Sequence, residues 1–153
     1  MTKEAVIYKR GERYFVHADS KTETGLWVAC EPFLAVDEIT GSEALEAAIM
    51  VALESSKDGL PHPSDFDAIG LPLYELAGVK TWNAFSRAAT ACRVVRADTG
   101  VIQVVPMKRS GQAFDLQEHE KIVLREATPG QLGDAVHKLL TGSQSRGATT
   151  QGG

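Results

Sequence analysis

The 153-residue chain has only two cysteines, Cys30 and Cys92, too few for the disulfide framework on which small secreted domains depend. Its six prolines and fourteen glycines are too sparse and irregular for a collagen-like or wholly disordered chain. No apolar run is long enough to cross a bilayer: the longest, Ala47 to Leu53, falls far short of the roughly 20 residues required. The opening Met1-Thr2-Lys3-Glu4-Ala5-Val6 is not followed by a signal-peptide core, so a cytoplasmic location with reduced thiols is the expectation. Positive charge is also in short supply. Sixteen Lys and Arg stand against twenty Asp and Glu, a net charge of −4, which argues against a general nucleic-acid binder.

What the chain does have is 43% hydrophobic residues, enough for one core, and an uneven distribution of charge. Between Glu31 and Glu75 lie ten carboxylates (Glu31, Asp37, Glu38, Glu43, Glu46, Glu54, Asp58, Asp65, Asp67, Glu75) and one base, Lys57. That segment carries −9 and leaves +5 for the remainder. An acidic face is therefore expected.

The hydrophobic pattern predicts an α+β fold. Val6-Ile7-Tyr8 and Tyr14-Phe15-Val16 flank a Gly-containing turn, and Leu26 to Cys30 forms a third strand that stops at Pro32. Thr40-Gly41-Ser42-Glu43 has the capping-box spacing. Behind it Leu45, Ala48, Ile49, Ala52 and Leu53 make the buried stripe of a helix, with Glu43, Met50 and Glu54 on its solvent side. A loop spans Lys57 to Pro72. Short helices follow at Leu73 to Ala77, ended by Gly78, and from Trp82 through Ala89, capped by Thr81, with Trp82 and Phe85 pointing inward. Cys92 to Arg96 and Val101 to Val105 bracket Asp98-Thr99-Gly100 as a hairpin, and Lys121 to Arg125 is a further strand. Thr128-Pro129-Gly130-Gln131 starts a last helix, with Leu132, Ala135, Val136, Leu139 and Leu140 buried and Gly142 as its stop. The expected architecture is a single domain over residues 1–140, an antiparallel sheet of about six strands with three or four helices packed against it, followed by a flexible polar tail, 141–153.

Catalytic and cofactor signatures are missing. His17, His62, His119 and His137 are scattered, without zinc-ligand spacing, and His137 reads as a surface residue. No phosphate-binding glycine loop and no Gly-x-Ser-x-Gly element occurs. Asp37-Glu38 and Asp65-Phe66-Asp67 lack a calcium loop's ladder of ligands. Cys30 and Cys92 read as packed thiols. No catalytic residue, metal or cofactor is expected.

Four stretches follow one another in a familiar order: Gly25-Leu26-Trp27-Val28-Ala29, Gly59-Leu60-Pro61-His62-Pro63, Gly78-Val79-Lys80-Thr81-Trp82-Asn83-Ala84-Phe85 and Gly100-Val101-Ile102-Gln103-Val104-Val105-Pro106. In these the chain resembles the immunity proteins of bacterial contact-dependent growth inhibition, the CdiI family, over about Val6 to Leu140. The resemblance implies a cytoplasmic inhibitor that binds the C-terminal toxin domain of its cognate effector. Many such toxins are nucleases, often acting on tRNA. An inhibitor that covers a cationic, phosphate-binding face gains from carboxylates. Asp37, Glu38, Glu43, Glu54, Asp58, Asp65 and Asp67 are accordingly the expected toxin-binding residues, with Met50 as an apolar contact. The partner is then a protein, with neither nucleic acid nor membrane bound directly. Two other readings stand beside it: a small enzyme or ligand-binding domain with a site assembled from His62, Asp65 and Cys92, or an interaction subunit of a larger assembly.

Overall fold

In the computed structural model, the backbone is described over residues 1–152 and the side chains over residues 1–142. Seven strands form one antiparallel sheet: β1 (Lys3–Arg10), β2 (Arg13–Lys21), β3 (Trp27–Asp37), β4 (Ala89–Arg96), β5 (Ile102–Ser110), β6 (Ala113–Leu116) and β7 (Ile122–Leu124). Their spatial order is β3-β2-β1-β4-β5-β6, with β7 pairing the start of β5. The helices are α1 (Ser42–Ser55), α2 (Phe66–Ile69), α3 (Leu71–Ala77), α4 (Trp82–Ser86) and α5 (Gln131–Gly152). The fold is thus the expected α+β domain, with one strand more than anticipated. The pairing of β1 with β4 joins the two strand blocks into one sheet.

Alternation sorts the central strands onto two faces. Ala5, Ile7, Tyr14, Val16, Ala18, Cys92 and Val94 pack beneath α1 and α5, whereas Val6, Tyr8, Phe15 and Ala91 pack beneath α3 and α4. Covered on both sides, β1 and β2 are nearly continuously buried, which is why they read as uninterrupted apolar runs. The α1 stripe of Leu45, Ala48, Ile49, Ala52 and Leu53 is buried as its spacing predicted. Met50 departs from expectation: it is half-buried and packs against the same core.

Several local expectations are overturned by longer-range pairing. β3 does not stop at Pro32. It runs through the cis Glu31–Pro32 bond to Asp37, and a shift in register between His17 and Ala18 absorbs Glu31 and Pro32 as a bulge. Proline is tolerated because β3 lies at the sheet edge. The capping box does not form: Thr40 Oγ1 donates to the Asp37 carbonyl at 2.6 Å, and Gly41, at φ 96°, occupies the N-cap of α1. Thr81 does cap α4, accepting from Ala84 N at 3.1 Å, but α4 ends at Ser86 because Ala89 onward pairs with β1. At α5, Gln131 Oε1 accepts from Thr128 N at 3.0 Å, the expected return bond. The bounds of α5 pass Gly142, where the sequence pattern ends the helix. Of the anticipated tail over 141–153, the backbone through Gly152 belongs to α5, while the side chains beyond Gly142 and all of residue 153 lie outside the described residues.

Candidate functional site

The face of the sheet turned toward α2, α3 and α4 carries a connected set of polar side chains drawn from three strands. Glu4 and Asp19 are cross-strand neighbours on β1 and β2, while Val6 lies between His17 on β2 and Arg93 on β4. His17 Nδ1 stands 3.0 Å from the Ala18 carbonyl and 3.4 Å from Asp19 Oδ1, both acceptors, so this nitrogen carries the ring proton. The other nitrogen, Nε2, lies 3.3 Å from the Tyr8 hydroxyl. Arg93 Nη1 donates to Glu4 Oε1 at 2.5 Å and lies 3.2 Å from Asp19 Oδ2. Arg93 Nε is buried without a partner. Tyr8, His17, Asp19, Arg93 and Glu4 therefore form one chain of polar contacts across three strands.

Two adjoining cavities open above this chain, of about 350 and 240 Å³, sharing Tyr8, His17, Trp27, Ala29 and Trp82. The first reaches beneath α2 and α3, past Phe33, Phe66 and Leu73, and the second reaches Asp19, Arg93, Met107 and Phe114. The aromatic rings brace one another. Tyr8 meets Trp82, Phe85 and Phe114 at centroid separations of 6.0, 5.0 and 5.9 Å, and Trp82 stacks on Phe85 at 5.9 Å. The Trp82 indole nitrogen also donates to the Gln112 carbonyl, tying α4 to the β5–β6 turn. Leu26 and Phe66 are exposed at the mouth.

The electrostatics follow from burial and pairing. Burial pushes the Glu4 pKa above the usual carboxylate value, although the Arg93 hydrogen bond and charge oppose it. Burial would also raise Asp19, but the His17 hydrogen bond and the charges of His17 and Arg93 outweigh it and hold Asp19 below its usual value. The Tyr8 phenol is raised far out of the physiological range, first by burial and then by Asp19. These groups form a fixed polar floor.

The expected toxin-binding residues do not form one patch. Glu43, Met50 and Glu54 belong to α1 on one side of the sheet; Asp65 and Asp67 belong to the α2 turn on the groove side; Asp58 lies in the loop between. Several of the acids have internal partners. Glu38 is half-buried, 3.5 Å from Lys9 Nζ and 4.0 Å from His137 Nδ1, which itself lies 2.5 Å from the Tyr14 hydroxyl. His137 is thus a bridge between sheet and helix, not the free surface residue expected. Glu54 pairs with Arg96 at 2.6 Å, Asp37 with Arg13 at 3.6 Å, and Asp65 accepts from Asp67 N at 3.0 Å. Glu43, Asp58 and Asp67 are exposed, and among the described residues no cation contacts them. Asp37 and Glu38, with Arg10, Glu12, Arg13 and Ile39, also line a concavity of about 720 Å³ whose charges are of both signs.

His62, Asp65 and Cys92 are not assembled into a site. His62 packs on Phe66 at the groove mouth, 5.5 Å between ring centroids, whereas Cys92 is fully buried on the opposite face with its thiol pKa pushed far up by burial. Among the described residues, no group of three or more His, Cys, Asp and Glu side chains could hold a metal ion, and no helix is long and apolar enough to cross a membrane. The Tyr8 to Glu4 chain escaped the sequence reading. Its signal is faint: in Tyr14-Phe15-Val16-His17-Ala18-Asp19, His17 and Asp19 fall on alternate positions of a strand flanked by apolar residues.

No model of a known protein family matches the chain, and no curated protein matches it in sequence. Solved structures do share its fold. A protein of unknown function from Neisseria meningitidis superposes with a TM-score of 0.75 at 15% identity, over 92% of this chain and 94% of that one. A chain of the CdiA-CT/CdiI toxin and immunity complex from Yersinia pseudotuberculosis superposes with a TM-score of 0.71 at 13% identity, over 92% and 97%. At such identities the likeness establishes the fold alone.

Proposed function

We propose that the chain is an immunity protein, which binds the C-terminal toxin domain of a cognate contact-dependent growth inhibition effector and blocks it. The observation that carries this reading is the shared fold, over 92% of the chain, with a chain of a toxin and immunity complex. The toxin is a nuclease, with tRNA as its substrate class, and the partner is therefore a protein with a cationic face. Exposed acids complement such a face: Glu43, Asp58 and Asp67, which no cation contacts among the described residues, and Asp65 and Asp37 with at most an exposed pair that solvent screens.

The test starts from the neighbouring gene: where it encodes a large secreted protein with a variable C-terminal domain, that domain is co-expressed with this chain. Rescue of growth, with a complex that co-elutes, is the expected result. Continued killing with both proteins folded and present would overturn the reading. Reversal of Asp65 and Asp67 to Lys, together with Asp37 and Glu38, should then slow association and flatten its salt dependence. Unchanged binding at every salt concentration would remove these residues from the interface.

A further inference from the structure

The groove above the polar chain holds a hydrogen-bond donor that nothing answers. We propose that it is the receptor for one tyrosine side chain of the protein partner, whose ring lies between the aromatic walls and whose hydroxyl oxygen accepts from Arg93. The receptor rests on this structure alone; that a toxin domain carries the tyrosine rests on the immunity reading.

The floor decides which polar group the guest brings. Arg93 makes both its carboxylate contacts, with Glu4 at 2.5 Å and Asp19 at 3.2 Å, through Nη1. Its Nε is buried and has no partner among the described residues. A buried donor without an acceptor is costly, so a guest that supplies an oxygen is favoured over one that does not. Asp19 offers the complement. Its Oδ1 is met by His17 and its Oδ2 by Arg93, which leaves lone pairs for a hydroxyl proton. A hydroxyl both accepts and donates, and this floor has both roles to fill.

Charge excludes ionic guests. The Asp19 carboxylate is already met by the Arg93 guanidinium and the His17 ring, so an added ammonium or guanidinium gains little there. A carboxylate would approach Asp19 and, across Arg93, Glu4. The guest is therefore neutral.

The walls make it aromatic. Tyr8, Trp27 and Trp82 line both cavities, with Phe33 on one side and Phe114 on the other, so an entering ring finds the edge and face contacts that aromatic pairs favour. Volumes of about 350 and 240 Å³ are on the scale of pockets for one small ligand. Leu26 and Phe66, exposed at the mouth, supply the apolar surround that keeps water from a buried anchor. Trp82 and Phe114 belong to the five-residue α4 and the four-residue β6, short elements that can yield as the hydroxyl nears the shielded Nε. A phenylalanine would fill these walls and leave Arg93 unanswered; a glutamine would answer Arg93 and waste the walls.

The indole Nε1–H signals of Trp27 and Trp82 follow binding in a two-dimensional NMR titration of the full chain at constant ionic strength. The probes are the N-acetyl amides of tyrosine, phenylalanine, glutamine, arginine and glutamate. Saturable shifts are expected with the tyrosine probe at roughly fivefold lower concentration than with phenylalanine, and the other three should be weaker again. Arg93→Lys keeps a cation beside Glu4 and Asp19 but has no Nε, so the tyrosine response should fall to the phenylalanine level. Trp82→Leu, read from the Trp27 signal, should weaken both aromatic probes severalfold and is the second variant should Arg93→Lys disturb folding. No saturable shift, an equal response to phenylalanine, a preference for glutamine, arginine or glutamate, or a tyrosine preference that survives Arg93→Lys overturns the proposal. So does an unchanged response in Trp82→Leu. Growth rescue without a tyrosine preference would reject the receptor and keep the immunity reading; a tyrosine preference without rescue would do the reverse.

Discussion

Glu46 offers a sharp test of how the acidic segment is used. Although it lies on α1, its carboxylate does not face solvent but reaches the first turn of α5, accepting from Gly130 N and Gly133 N, each at 2.8 Å. It is a cap supplied by a different helix. Glu46→Ala leaves two amides unpaired and removes a negative charge from a helix N-terminus. A hydrogen bond to a charged group contributes about 1.5–3 kcal/mol and the dipole term about 0.3–1 kcal/mol, but the site is only partly buried and the terms overlap. The expected loss is therefore about 3 kcal/mol, which for a chain of this length lowers Tm by roughly 6–12 °C. Glu46→Gln keeps one good acceptor and should lose about half as much. Equilibrium denaturation in urea, followed by tryptophan fluorescence and circular dichroism, measures both. The denaturant slope should stay constant if only the native state is affected. A loss below about 0.5 kcal/mol for Glu46→Ala, or equal losses for the two variants, would refute the cap.

Gly133→Ala should destabilise the fold despite alanine's advantage of about 1 kcal/mol within a helix. The added Cβ would sit 2.3 Å from the Ser42 carbonyl oxygen and 2.9 Å from Glu46 Cβ, forcing α1 and α5 apart; a raised Tm would contradict this. Cys92, fully buried with its pKa pushed up by burial, should resist a thiol reagent at pH 8 until the chain unfolds, and rapid native-state labelling would count against that burial. The two buried carboxylates should give opposite pH dependences. Asp19 is held below its usual value of 3.8, so its stabilisation is complete above that value and is lost as pH falls through the lower folded value; Asp19→Asn should flatten this acid limb. Glu4 is raised above 4.5, so acidification from its folded value toward 4.5 stabilises the protein, and Glu4→Gln should abolish that gain in urea titrations run from pH 7 to 4.5. A variant profile parallel to the parent's would reject either assignment.

Much of the architecture was legible because the core is patterned locally. The α1 stripe, the Thr81 cap, the hairpin at Gly100 and the return bond of Gln131 all follow from residues within a few positions of one another. Errors occurred where distant partners competed. Ala89 has helical spacing behind Trp82 and Phe85, yet it joins β4 because eight residues of β1 pair with it there. Thr40 has the right position in a capping box, yet its hydroxyl closes the turn at Asp37. The β6 strand was missed because it is short and largely exposed, with little hydrophobic alternation to reveal it.

The candidate site was legible only in fragments. Trp27 and Trp82 stand out as the two tryptophans of the sequence, but Glu4, Tyr8, His17, Asp19 and Arg93 come from three strands with no motif linking them. Their contact depends on strand register, and a shift of one residue would send them to the opposite face.

By itself the sequence determined that there is one α+β domain, which helix faces are buried and that the acids concentrate between Glu31 and Glu75, because these are properties of composition and short-range periodicity. Only the tertiary structure decided what those acids do. Glu46 caps α5, Glu38 bridges toward Lys9 and His137, Glu54 pairs with Arg96, and Glu43 and Asp67 stand on opposite sides of the sheet. Charge along a chain adds regardless of folding, but an electrostatic surface depends on which charges meet a partner within a few ångströms, and that distance is set by packing.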